Sequence, residues 1–346
     1  MKHKGGYTCD QLGRVVGAGA RTLNLNTLRN ILISTDESLF QQNEWIWDGE
    51  FRFLDGAPIE KRVGFTSYPR SGNSFLRRYL EQLTGVTSGS VIHMHSATSL
   101  QIMGLKGEGH STDDNCWIVK SHHPFDIKLS ERNTTSKTFI CVRHPLDVFP
   151  SYAALTQTMS HGNKTDYDLA IEYPEWWAWF VKKRADQMKK FFEILIRHCN
   201  VDKRQPLYIV RYEDLVMAPK DTLMGLMSFL LEKKDLAGSN MERRIDAVIA
   251  KGSSAATTYK LKESSGKFDT HKAKYNAELR QYVQDTLGDQ LYYFGYANVE
   301  GNPTGFFEFD QHTPENLAKH EQFRTDSAAA LDSICGPNHV QTYYTH

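Results

Sequence analysis

The chain has no surplus of charge of either sign: 41 Lys+Arg stand against 41 Asp+Glu in 346 residues. That balance removes the bulk electrostatic footprint of a nucleic-acid or anionic-membrane binder, so any anion site must be a local concentration of charge. Long apolar runs are also lacking, and none approaches the roughly 18 to 20 residues needed to cross a bilayer. Met1-Lys2-His3-Lys4-Gly5 is not followed by the apolar stretch of a signal peptide. The expectation is a cytoplasmic protein with neither nucleic acid nor membrane as partner.

Cysteine is sparse. Cys9, Cys116, Cys141, Cys199 and Cys335 form no Cys-x-x-Cys pair, which argues against a disulfide framework and a thiolate zinc site. Cys116 and Cys141 fall in strand-like runs and read as buried. Two glycosylation sequons, at Asn133 and Asn163, read as plain loop in a chain without a secretory leader. Internal repeats and low-complexity segments are absent too.

What is present is an alternation of short strands and amphipathic helices. Arg62 to Tyr68, Cys116 to His122, Thr138 to His144 and Leu207 to Tyr212 are rich in β-branched or aromatic residues and too short for helices. After the first strand, Phe75, Leu76, Tyr79, Leu80 and Leu83 recur at helical spacing, with Gly85 as a C-terminal cap. Further helices are expected over Pro174 to Cys199, Pro219 to Leu231, Asn240 to Lys251 and Ala277 to Gln290. The pattern predicts an α/β fold, a single P-loop-like domain with a central parallel sheet flanked by helices. The domain should span residues 60–300, with 1–59 as an N-terminal and 301–346 as a C-terminal extension packed on the core.

Four segments carry chemistry. Thr66-Ser67-Tyr68-Pro69-Arg70-Ser71-Gly72-Asn73-Ser74-Phe75 joins a strand to a helix, a turn that aims N–H groups and a positive helix end at an anion. The Gly-Lys-Ser/Thr of a Walker A loop is missing, since Asn73 follows Gly72. An ordinary connection capped by Ser or Asn would read the same way. Lys120-Ser121-His122-His123 lies at a strand's carboxyl end, where open α/β sheets bind ligands. Alternation puts Lys120 and His122 on one side, and the lysine keeps the ring neutral by like-charge repulsion. A solvated strand end with a locally bonded histidine is the alternative. Arg143 leaves the third strand just before Pro145, with Ser151 two turns later, so both can face one anion; Arg143 could instead pair with Asp147. Val210-Arg211-Tyr212-Glu213-Asp214 closes the last strand, or is simply a capped turn.

In this order the four segments resemble the sulfotransferases that use 3′-phosphoadenosine 5′-phosphosulfate (PAPS), over roughly residues 60 to 270. The loop is similar to the family's Tyr-Pro-Lys-Ser-Gly-Thr-Thr-Trp, which implies that Arg70, Ser71, Gly72, Asn73 and Ser74 hold the 5′-phosphosulfate end, with Phe75 in the place of the tryptophan that stacks near adenine. Lys120-Ser121-His122 resembles Lys-Thr-His, which implies His122 as catalytic base with Lys120 and Arg70 beside it. Arg143 and Ser151 take the places of the 3′-phosphate ligands and Tyr212 that of the adenine-facing tyrosine. The late Arg-Lys-Gly element is echoed by Lys260, Lys262, Gly266, Lys267 and Phe268, and Thr257-Thr258-Tyr259 resembles the Thr-Ser-Phe flanking adenine. Arg70 in place of lysine and Phe75 in place of tryptophan are departures. The resemblance implies sulfuryl transfer from PAPS, without a metal, to a small-molecule or glycan acceptor bearing a hydroxyl or amine. A P-loop kinase or NTPase and a catalytically inactive nucleotide-binding protein of this fold are the rivals. His93-Met94-His95 could set two imidazoles on one strand face but has no third ligand nearby. Trp176, Trp177, Trp179 and Phe180 read as core. Oligomeric state stays open.

Overall fold

The structure is a computed structural model that describes residues 7–9, 15–17, 23–55, 62–91, 98, 100–102, 104–109, 115–122, 134–158, 168–196, 205–251, 271–296, 322–336 and 344–345. Five strands form the central sheet: β1 (Val63–Ser67), β2 (Gly89–Ser90), β3 (Ile118–Ser121), β4 (Lys137–Val142) and β5 (Leu207–Arg211). Their order is β2-β3-β1-β4-β5 with every pairing parallel. The four expected strands are all there, each somewhat shorter than the apolar run that announced it; β2, only two residues long, gave no such run.

Alternation along the strands explains the two-sided core. Phe65, Phe139, Cys141 and Val210 face one layer, and Phe65 stacks on Phe139 at 4.4 Å between ring centroids. Ile140, Val142 and Ile209 face the other. The first layer contains α1 (Leu25–Ile33), α2 (Asn73–Thr84), α5 (Pro219–Leu231) and α6 (Asn240–Lys251). The second contains α3 (Pro145–Thr158), α4 (Pro174–Ile196) and α7 (Ala277–Tyr293). A last helix, α8 (Gln322–Cys335), lies against β5. Helix α2 ends at Gly85, whose φ of +71° makes it the expected left-handed cap.

Several expectations need correction. Helix α4 is described to Ile196, so its expected end at Cys199 lies outside the described residues, and α7 runs on to Tyr293, one turn beyond Gln290, because Leu291 is still buried. The flanking segments do carry regular structure that fits the layers. Leu25, Leu28, Ile31 and Leu32 of α1 are buried, its N-cap Asn24 accepts from Thr27 N–H, and α8 buries Phe323, Ser327 and Ile334. Thr134–Thr135, read as loop, pairs antiparallel with Tyr344–Thr345. Trp177 and Phe180 are core as expected, whereas Trp179 is 59% exposed. Cys116 and Cys141 are buried, and neither is in a disulfide. Among the described residues, no helix is long and apolar enough to cross a membrane.

Candidate active site

The strand register gathers the chemistry. Thr66 is paired with Ser121, Ser67 with Cys141 and Val142 with Arg211. The loop after β1, His122, Arg143 and Tyr212 therefore all leave the sheet at one carboxyl edge. Strand order reverses beside β1, so its loop opens the crevice in which such sheets bind ligands.

The loop itself is held tightly and leaves its donors facing outward. Arg70 takes a left-handed φ of +72° and Gly72 one of +92°. Asn73 Nδ2 donates to Ser67 Oγ at 3.0 Å, and the Cys141 thiol donates to the Ser71 carbonyl at 2.9 Å. Helix α2 starts at Gly72, and no side chain caps its first turn. The first N–H groups of an uncapped helix suit an anion. Gly72 also makes room for a ring: a Cβ there would sit 2.4 Å from Tyr212 Cδ2.

On the β3 side, Lys120 is buried and the partly exposed His122 closes the strand. The His122 Nδ1 lies 2.8 Å from the Ser67 carbonyl oxygen. A carbonyl can only accept, so Nδ1 carries the proton and the lone pair sits on Nε2. The ring is neutral for a different main reason than like-charge repulsion. Burial pushes its pKa down to about 3 first, the Lys120 ammonium adds to this, and the Ser67 hydrogen bond and the Glu108 charge pull the other way.

On the β4 and β5 side, the Arg143 guanidinium lies 4.6 Å from the Tyr212 ring centroid and reaches the Arg70 carbonyl at 3.5 Å. These contacts, rather than an ion pair with Asp147, fix it. Its Nε is buried without a hydrogen-bond partner, as is Ser71 Oγ, so the site keeps polar capacity for a ligand. Ser151 Oγ accepts from Arg70 Nε at 2.9 Å, which ties the loop arginine to the two residues expected at one anion. Phe75 meets Tyr212 edge-on at 5.9 Å.

Tyr259, Lys262 and Gly266 lie outside the described residues, as do Thr257, Thr258, Lys260, Lys267, Phe268, His123, His93 and His95. Among the described residues, no three His, Cys, Asp or Glu side chains converge on a point that could hold a metal. Sequence reasoning missed Glu213, Arg77 and Glu108. Glu213 is fully buried and accepts from His144 N–H at 2.9 Å and from Tyr296 Oη at 2.6 Å, fixing the backbone next to Arg143. Burial pushes its carboxyl up despite those bonds. His271 was missed as well; burial lowers its pKa, helped by the charges of Lys274 and Arg143.

A family model described as the sulfotransferase domain matches residues 61–278. The chain belongs to the sulfotransferase family. The matched stretch contains every strand of the central sheet and all four motif segments of this sulfotransferase. Among solved structures, it is similar to a crystal structure of mouse sulfotransferase SULT7A1 complexed with PAP, at 13% identity and a TM-score of 0.41, covering 82% of this chain and 94% of that one. A search of the curated proteins returns no relative.

Proposed function

We propose that this sulfotransferase uses PAPS as donor and transfers its sulfuryl group to the hydroxyl or amine of a small-molecule or glycan acceptor. The observation that carries the reading is His122, whose tautomer is set by the Ser67 carbonyl at the base of the phosphate-binding loop. Nε2 takes the acceptor proton as the new bond to sulfur forms and the bond from sulfur to the 5′-phosphate oxygen breaks, leaving adenosine 3′,5′-bisphosphate. General-base help of this kind contributes about 10² to 10⁴ in rate. The ring's low proton affinity refers to the protein without ligand; the multiply charged donor beside it raises that affinity.

Arg70, Lys120 and the first N–H groups of α2 stabilise the charge that builds on the bridging and sulfuryl oxygens. Arg143 and Ser151 hold the 3′-phosphate, Phe75 and Tyr212 flank the adenine, and Tyr259, Lys262 and Gly266 complete the nucleotide site. The fit is supported by the polar atoms of Arg143 and Ser71 that lack partners and by the uncapped helix start. The scheme calls for no metal. Residues 60–300 form the catalytic domain in this reading, flanked by the extensions 1–59 and 301–346, and the protein works in the cytoplasm.

The test is transfer of label from PAPS to 4-nitrophenol, a sterol, N-acetylglucosamine and tyramine, with and without EDTA. Transfer that survives the chelator is expected. Loss with EDTA and recovery with Mg²⁺, together with turnover of ATP, would instead indicate a P-loop kinase or NTPase. Tight binding of adenosine 3′,5′-bisphosphate with no transfer to any acceptor would indicate an inactive binder.

A further inference from the structure

Behind the end of β3 lies an ion cluster sealed from solvent. Arg77 stands one turn into α2 and is 1% exposed, as is Glu108. The two pair directly, while Arg77 Nε donates to Ser88 Oγ at 2.9 Å and Nη2 to the Ser88 carbonyl at 2.8 Å. Ser88 Oγ passes its own proton to Glu81 Oε1 at 2.7 Å, and Glu81 also binds Arg78. Gln101 Nε2 holds the Glu108 carbonyl at 2.6 Å. The carboxylate is thus held from α2 by Arg77, Arg77 is held by the segment leading into β2, and Gln101 fixes the Glu108 backbone.

Its second oxygen, Oε2, is buried with no hydrogen-bond partner. Lys120 is the neighbouring cation: it stands opposite Ser90 in the β2–β3 register, and Ser90 hydrogen-bonds Glu108. Burial opposes ionisation of Glu108, yet the Arg77 and Lys120 charges and those hydrogen bonds hold its carboxyl below the usual value. Arg77, Arg78 and Lys120 against Glu81 and Glu108 leave the cluster with one net positive charge, next to the place where a donor anion would react. An isolated ammonium at 7% exposure would be costly without such a counter-charge.

We propose that Glu108 is a positioning residue: a buried counter-charge, clamped by Arg77, that holds the Lys120 ammonium in place beneath the group being transferred. The inference rests on the sulfotransfer reading for its consequence in catalysis, but its electrostatic core concerns the ligand-free chain alone. Because Arg77 belongs to the helix that opens with the phosphate loop, the same clamp keeps loop and lysine in register.

Two measurements on the full chain test it. In the ligand-free protein, limited acylation with acetic anhydride followed by peptide mass spectrometry reads the fraction of neutral amine at each lysine. Glu108→Gln leaves Lys120 facing Arg77 and His122 without its counter-charge, so its labelling rate is expected to rise at least threefold relative to exposed Lys182, while Glu108→Asp labels as wild type does. If Glu108→Gln does not fold, the comparison of Arg77→Met with Arg77→Met/Glu108→Gln isolates the same effect. Equal Lys120 labelling with and without the carboxylate overturns the inference, whatever the protein transfers. In the transfer assay, Glu108→Gln is expected to lower kcat at least tenfold with KM for PAPS nearly unchanged, to move the kcat–pH profile to lower pH, and to be rescued by Glu108→Asp. A lower kcat with an unmoved profile would mean a purely structural role. Failure of wild type to transfer from PAPS would refute the sulfotransfer reading and leave the labelling result to decide this one.

Discussion

Glu108 and Glu213 occupy matching places beneath the two halves of the site, and they are used in opposite ways. Glu108, under Lys120, is shared between cations and stays charged, so its field reaches the reacting end. Glu213, under Arg143, sits in a hydrogen-bonded seat and is pushed toward its neutral form by burial. The neighbouring carboxylate, Asp214, is taken up by other arginines, pairing with Arg211 at 2.6 Å and, from α8, with Arg324 at 2.8 Å. One half is braced by electrostatics and the other by geometry, which fits a division into reacting end and recognition end.

The sharpest way to break that division is His122→Ala. It is expected to lower kcat by about 10² to 10⁴ while the affinity for adenosine 3′,5′-bisphosphate stays within about twofold. Turnover and titration read the two quantities separately, and a parallel loss of affinity would mean that the halves are not distinct. Arg143→Ala should do the converse. It removes one or two charge-assisted hydrogen bonds worth roughly 1.5 to 3 kcal/mol each, so adenosine 3′,5′-bisphosphate weakens at least tenfold and adenosine 5′-phosphate barely changes. Equal weakening of both ligands would take the 3′-phosphate away from Arg143.

Gly72→Ala probes the point where the halves touch. A left-handed φ and a Cβ within 2.4 Å of the Tyr212 ring should cost about 1 to 3 kcal/mol in thermal or denaturant unfolding, and an unchanged midpoint would mean that Tyr212 is free to move aside. A further effect concerns pH. The folded-state pKa of His122 is depressed from 6.5 to about 3, so the unfolded chain binds a proton in that window that the folded chain does not. Stability from this group is whole above pH 6.5 and is lost as pH falls toward 3. His122→Gln should flatten that part of the profile of Tm against pH, and an identical slope would place the acid sensitivity elsewhere.

Much of the fold was legible because its signals are local. Pro219 and Asn240 open α5 and α6, and α5 ends where its apolar period ends. Helix α1 carries the same kind of signal in Asn24 and the spacing of Leu25, Leu28 and Leu32, but at nine residues the period repeats too few times to stand out. Helix α8 was hidden by its run of alanines and serines, which favours a helix without marking a face. Loop, lysine, histidine and arginine could be read because each lies at or just beyond a strand's carboxyl end. The Arg77–Glu108 clamp could not, since its partners are brought together by the packing of α2 on the sheet rather than by spacing. The dominance of burial at His122 is likewise a property of the assembled edge.

Helix α8 has a consequence for how the protein fails rather than how it works. Strand β5 ends the sheet, and its outward Ile209 N–H donates to Ser327 Oγ of α8 at 3.1 Å. The helix is a cover over an edge that would otherwise template pairing with another chain. Its polar holds include one hydroxyl on β5, the Tyr293–Asp326 hydrogen bond and the ion pairs of the exposed Arg324 and Lys234, which are individually weak, beside a few apolar side chains. Heating should therefore peel the cover before the sheet melts, and loss of soluble protein would follow the time spent uncovered, rising with concentration, rather than the midpoint of global unfolding.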